Sequence, residues 1–293
     1  MNEVQLHTLI KEARRFVEEG KFLHAVQLYR RLIESEPSFN ESYVQLSIIF
    51  AEWGHFEQAE QVLLKGYQNN PAKPELLLRL GDLQLRQQQF PQAISYYRRL
   101  RNQRMPQAHF NLGIAYMGVG NLDRAEEEVR LAILSDPAFP RGREVLGDIL
   151  IRREAYTEAI KELKRGLRHE HYSGSGHRLL GIALSRVNEW SKAYDEFALA
   201  IDMDPQDAAG WQLCGDALLQ LGRHAEAEAY LQKAITLKPE LADAFASFGF
   251  LYLGRGDKAK ARESFERALK IDPAHPRAMQ GQLRLSLQTK HTS

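Results

Sequence analysis

Three histidines crowd one short stretch of the chain, His169, His171 and His177, and imidazole is a ready metal ligand. They lie across a loop with no cysteine or obvious carboxylate partner at ligand spacing, so the stretch does not read as a metal centre and no cofactor is expected. The single cysteine, Cys214, cannot form an internal disulfide, and beside Gly215 it reads as a small buried hydrophobe. The arginines of the stretch Arg98 to Arg104 are where a nucleic acid would bind if one bound at all; they and Glu126-Glu127-Glu128 read better as solvated faces. There is no Gly-x-x-x-x-Gly-Lys-Ser/Thr loop and no His-Glu-x-x-His string. Nothing here assembles a catalyst, and the expectation is a protein that is not an enzyme.

The bulk composition narrows the classes further. The 293 residues are 44% hydrophobic and 26% charged, enough apolar material for a packed core. A formal charge of +1 supplies no global field to draw in a polyanion or a membrane surface. Lone-cysteine usage fits a reducing compartment. The opening Met1 to His7 lacks the basic start and apolar run of a signal peptide, and no stretch reaches the roughly 18 apolar residues of a membrane span. A cytoplasmic location without membrane insertion is therefore expected.

The elements that would position any site are set by an internal period. A small residue recurs at Ala13, Ser47, Gly81, Gly113, Gly147, Gly181, Gly215 and Gly249, spaced by 34 except for one step of 32. Twelve residues after each comes an alanine: Ala25, Ala59, Ala93, Ala125, Ala159, Ala193, Ala227 and Ala261. Four further on stands a large side chain, at Tyr29, Leu63, Tyr97, Val129, Leu163, Phe197, Leu231 and Phe265, and three beyond that a mostly small one. Proline closes most units, at Pro37, Pro71, Pro137, Pro205, Pro239 and Pro273. Gly20, Gly54, Gly120, Gly222 and Gly256, with Asn188 in the same slot, mark a left-handed stop inside each unit. Phe22, Phe56, Phe90, Tyr156 and Trp190 follow it and should pack the hairpin corner.

This pattern resembles the tetratricopeptide repeat, matched most fully by Phe245, Phe248-Gly249, Tyr252, Ala261, Phe265, Ala268 and Pro273. The resemblance implies an all-α, right-handed superhelical solenoid of eight helix-turn-helix repeats with a C-terminal capping helix. The repeats are expected at 6–39, 40–73, 74–105, 106–139, 140–173, 174–207, 208–241 and 242–275, and the cap at 276–289, where Met279, Leu283 and Leu287 recur on a polar strip ending in Lys290 to Ser293. The short third repeat should bend the stack locally. The stretch from His169 to Gly176, with two glycines, should make a softer joint. These breaks suggest three segments, 1–105, 106–173 and 174–293, of one continuous domain.

In such an array the first helices line an inner wall that meets a ligand. The resemblance puts on that wall Val44, Ile48 and Ala51, then Leu78, Asp82, Leu85 and Arg86, then Phe110, Ile114 and Met117, an apolar half. Glu144, Asp148, Arg152, Arg178, Ile182, Arg186, Gln212 and Asp216 continue it as a polar, mixed-charge half. Asp82 with Arg86, and Asp148 with Arg152, stand four apart and are also placed to pair within their own helices. Family members that clamp the acidic tails of heat-shock chaperones use lysines, asparagines and an arginine at fixed wall positions. Here Ile10, Arg14, Gln45 and Glu75 stand at four of them, so no such clamp is expected.

The function expected is a non-catalytic adaptor that holds a peptide or helix of a protein partner in its groove. By analogy with bacterial scaffolds it would serve a secretion, pilus, motility or envelope machine. The alternative is a single-stranded RNA-binding helical-repeat protein. Val44, Phe110 and Glu144 break the recurring polar code such a protein needs, and no nucleic acid is expected.

Overall fold

The computed structural model describes residues 3–139, 141–168 and 173–290. Among them the chain is all-α. The first helices of its hairpins are α1 (Glu3–Glu18), α3 (Asn40–Glu52), α5 (Pro74–Arg86), α7 (Pro106–Gly118), α9 (Gly142–Arg152), α11 (Gly174–Arg186), α13 (Ala208–Gln220) and α15 (Ala242–Gly254). The second helices are α2 (Phe22–Ser35), α4 (Phe56–Asn69), α6 (Phe90–Arg98), α8 (Leu122–Ser135), α10 (Tyr156–Leu167), α12 (Trp190–Met203), α14 (His224–Leu237) and α16 (Lys258–Ile271), and α17 (Pro276–Lys290) follows. The architecture is a helical repeat solenoid. It divides into two compact units, Met1–Gly142 and Arg143–Ser293.

The periodic residues are where the helices cross. All eight alanines of the recurring column are fully buried, and so are the large residues four places later. Where the small residue of the first helix is glycine, it faces that large residue. A Cβ on Gly113, Gly181 or Gly215 would stand 2.5, 2.5 or 2.7 Å from the side chain of Val129, Phe197 or Leu231 respectively, and Gly249 faces Phe265 in the same way. Glycine here brings two backbones close enough for one large side chain to fill the space between them. Burying each of those side chains contributes about 1.5–3 kcal/mol.

Each hairpin turns on a left-handed residue. At Gly20 and Gly256 φ is 71° and 79°, and the next residue's N–H reaches back into the helix, Lys21 to Phe16 at 2.7 Å and Asp257 to Tyr252 at 2.9 Å. The same slot holds Asn188 at φ 62°, as expected, and also Gln88 at 57° and Glu154 at 61°, which residue type alone did not announce. The corner aromatics Phe56, Phe90, Tyr156 and Trp190 are half-buried, whereas Phe22 is exposed.

The third repeat is short because α6 stops after 9 residues where α4 has 14, and Leu100 beyond it is still buried. Helices α6 and α7 pack together, as do α10 and α11, so packing runs through the stretches near 105 and 173. At the second of these, Ser173 caps α11 by accepting from the Gly176 N–H at 3.0 Å. Its hydroxyl and that of Ser175 donate to Glu144 of α9 at 2.6 and 2.8 Å, which ties the joint. His169 and His171, and the terminal His291 to Ser293, lie outside the described residues.

Candidate functional site

Within each unit successive first helices lie against one another, α3 on α5 and α5 on α7 in the first, α13 on α15 and α15 on α17 in the second. Side chains on that layer fall into two groups. Val44, Leu78 and Ala51 are buried, because the neighbouring first helices close over them, so they are packing residues and no part of an open wall. Ile48 is exposed, Leu85, Ile114 and Met117 are half-buried, and half-buried Phe110 packs its ring 5.1 Å from that of Phe139.

Asp82 does not pair with Arg86. Its carboxylate accepts from the Tyr97 hydroxyl at 2.8 Å, the Asn111 amide at 2.7 Å and Arg79 at 3.4 Å, while Arg86 reaches Glu52 of α3 at 2.7 Å. Burial pushes the Asp82 carboxyl above its ordinary range, and the three donors oppose that shift without cancelling it. Asn111 thus stitches α7 to α5.

The second unit's wall is also largely satisfied from within. Glu144 and Gln212 are buried; the first accepts from two serines and the second donates to Asp216 at 2.7 Å, so neither is free to meet a ligand. Arg178 pairs with Asp207 at 2.9 Å, and Asp148 with Arg152 at 3.0 Å within α9. Asp216 joins three helices, accepting from Ser247 of α15 at 2.6 Å and from Arg277 of α17 at 2.5 Å. Burial alone would lower the Arg277 pKa, yet the charge and hydrogen bond of Asp216, together with the charge of Asp243, outweigh it and the net shift is upward.

Beside this junction lies a cavity of about 530 Å³ lined by Ile182, Arg186, Gln212, Asp216, Asp243 and Arg277 among others. Four of the residues expected on the wall, Ile182, Arg186, Gln212 and Asp216, are thereby brought together, and Asp243 and Arg277 join them unforeseen. Among the described residues Arg186 has no ion-pair partner. The cavity offers an aliphatic surface, one free cation and fixed carboxylates, which is the equipment of a binding surface.

A pairing inside the hairpins was also missed. His109 meets Glu128 at 2.7 Å, Arg143 meets Glu162 at 2.7 Å and His177 meets Glu196 at 2.6 Å, each nineteen residues on. Glu128, Glu162 and Glu196 recur at the repeat period, and that recurrence was the available signal. His177 is therefore engaged with a carboxylate. No cluster of metal-ligating side chains occurs among the described residues. In the arginine-rich stretch, Arg99 donates to the Tyr67 hydroxyl at 2.5 Å and Arg101 binds Glu127 and, at 2.9 Å, Glu128, so two of its cations are already occupied.

Tetratricopeptide repeat family models match residues 46–109, 78–138, 110–170 and 178–242, and a second such model matches 218–285. The chain is a tetratricopeptide repeat protein. Proteins of this family are in general non-catalytic interaction scaffolds. Among solved structures, this repeat chain is similar to one in the APC/C hetero-tetramer Cut9-Hcn1, at 16% identity and a TM-score of 0.66; the match covers 97% of this chain and 57% of that one. A tetratricopeptide repeat protein from Parabacteroides merdae aligns at 20% identity and a TM-score of 0.64, covering 85% of this chain and 98% of the other. YrrB, described as having an unusual peptide-binding site, aligns at 23% identity and 0.52, covering 66% and 97%. At these identities the likeness is one of fold. None of the curated proteins compared with this chain matches it. No described helix of this tetratricopeptide repeat protein is long and apolar enough to cross a membrane.

Proposed function

We propose that this chain is a non-catalytic adaptor that receives a segment of a partner protein along the first-helix layer of its second unit. One observation carries the reading: Ile182 and Arg186 of α11 converge with Gln212 and Asp216 of α13 and Arg277 of α17 on a single cavity. Because Arg277 is already matched by Asp216 and Asp243 contacts His275, the cation there without an ion-pair partner among the described residues is Arg186. The segment that fits presents an aliphatic side chain to Ile182 and a carboxylate to Arg186.

The test uses the full chain as bait, with Ile182→Asp and Arg186→Glu as groove variants and Leu134→Ser, on an exposed site of α8, as control. Quantitative mass spectrometry is expected to show a partner set retained by the control and lost from both groove variants, all three keeping wild-type helicity by circular dichroism. Groove variants that retain every partner would remove the proposal.

A further inference from the structure

Helix α17 continues the phase of the first helices. Ala278, Gly281 and Leu285 stand 34 residues after Ala244, Ser247 and Leu251, and all six are buried. They pack α17 onto α15 and α16, with Gly281 set against the Phe265 ring. The other row of α17 behaves differently. Met279, Leu283 and Leu287 are 54%, 61% and 51% exposed.

The earlier hairpins show what that row is built to meet. Residues at the place of Met279 touch the second helix of their own hairpin: Tyr43 accepts from Asn69 at 2.7 Å, His109, Arg143 and His177 pair with Glu128, Glu162 and Glu196, the Trp211 ring lies 5.2 Å from that of Tyr230, and Arg267 sits 4.3 Å over the Phe245 ring. Leu283 stands at the place held in the earlier hairpins by Ala13, Ser47 and six glycines, and each of those glycines faces a large residue of the second helix. Among the described residues no helix covers this row on α17.

We propose that the outer face of α17 docks an amphipathic α-helix of a partner protein, one that brings alanine or glycine against Leu283 and acidic side chains beside Arg284. The row spans two helical turns, about 12 Å, which suits a crossing helix. The large Leu283 at a site otherwise held by small residues reverses the usual fit, so the incoming helix must be small at the crossing. Charge sets its flanks: α17 has no Asp or Glu, its Arg277 is committed to Asp216, and its Arg284, 5.8 Å over the Phe250 ring, has no ion-pair partner among the described residues. A second copy docking by the same helix would set basic against basic, whereas an acidic-flanked helix is complementary. This face is separate from the cavity at Ile182 and Arg186, so the two readings stand or fall independently.

The test titrates the full chain into two fluorescein-labelled synthetic helical peptides that share an alanine-containing apolar row, one flanked by glutamates and the other by lysines. The glutamate peptide is expected to bind at least about tenfold more tightly. Leu283→Glu, at an exposed site that leaves the fold intact, should weaken it by about tenfold or more, Arg284→Glu should invert the charge preference, and Ile182→Asp should change neither. Equal affinity for the two peptides, no binding of either, or binding indifferent to Leu283→Glu would overturn the proposal. So would self-association of the chain, seen by analytical ultracentrifugation and abolished by Leu283→Glu, because the occupant would then be a second copy.

Discussion

The ring of Phe197 lies 2.5 Å from the point where a Cβ on Gly181 would stand. Helix propensity alone would make Gly181→Ala stabilising by up to about 1 kcal/mol. The added methyl instead has to displace a fully packed ring between α11 and α12, and overpacking of that kind costs about 1–3 kcal/mol. The net expectation is a loss of stability, read as a lower urea midpoint with the slope unchanged. A raised midpoint would show that the two helices can separate freely at this crossing.

Asp82 makes a second, pH-dependent prediction. Its carboxyl titrates above the ordinary 3.8 because it is buried, so the folded chain holds this proton more tightly than the unfolded one. The resulting contribution favours folding below 3.8 and is lost as pH rises through the elevated folded value. Asparagine at this place keeps a carbonyl to accept from Tyr97 and Asn111 and carries no charge to desolvate. Asp82→Asn should therefore flatten the fall in stability between roughly pH 4 and roughly pH 7, measured as urea midpoints at the two ends. A wild-type slope that survives in the variant would assign it to other carboxyls.

Cys214 supplies a third. Burial, with a smaller contribution from the charge of Asp202, pushes its thiol up to about 12. A buried thiol that stays protonated reacts poorly, so modification by a thiol reagent at roughly pH 8 should follow the rate of unfolding and not that of a free cysteine. The unfolded thiol ionises near its ordinary 9.0 while the folded one does not. Stability should accordingly fall as pH rises above that value, and Cys214→Ala should remove that part of the fall. Immediate labelling of the native chain would mean that α13 and α14 open locally at this crossing.

The residues that set the fold repeat, and that is why it could be read. Gly181, Ala193 and Phe197 are defined by their own spacing and by the same contact in six hairpins, so one alignment of the chain on itself identified the crossings. The wall was harder to read, because whether a first-helix side chain faces solvent depends on how closely the neighbouring first helices approach, which the period of a single chain does not encode. Val44 and Leu78 fell inside that closure while Ile182 and Arg186 stayed outside it. Asp216 shows the other limit. Its partner Arg277 is 61 residues away on the helix read as a plain cap, and no spacing rule within a repeat reaches that far.

The hairpin turns provide the last prediction, and it ranks three residues by one physical cost. Gln88, Glu154 and Asn188 adopt φ of 57°, 61° and 62° in the slot where five other turns have glycine. A left-handed conformation costs an ordinary L-residue about 1–2 kcal/mol, and asparagine less because its short polar side chain tolerates that region. Glycine gives back roughly 0.5–1 kcal/mol of this in unfolded-state entropy. Gln88→Gly and Glu154→Gly should each therefore stabilise by about 0.5–1 kcal/mol, and Asn188→Gly by less. The converse, Gly222→Gln, meets open space at φ 72°, so its loss of stability would measure the backbone term with no steric clash added. Urea denaturation of the four variants decides the matter: if Asn188→Gly gains as much as Gln88→Gly, side-chain identity in the left-handed slot is not what limits these turns.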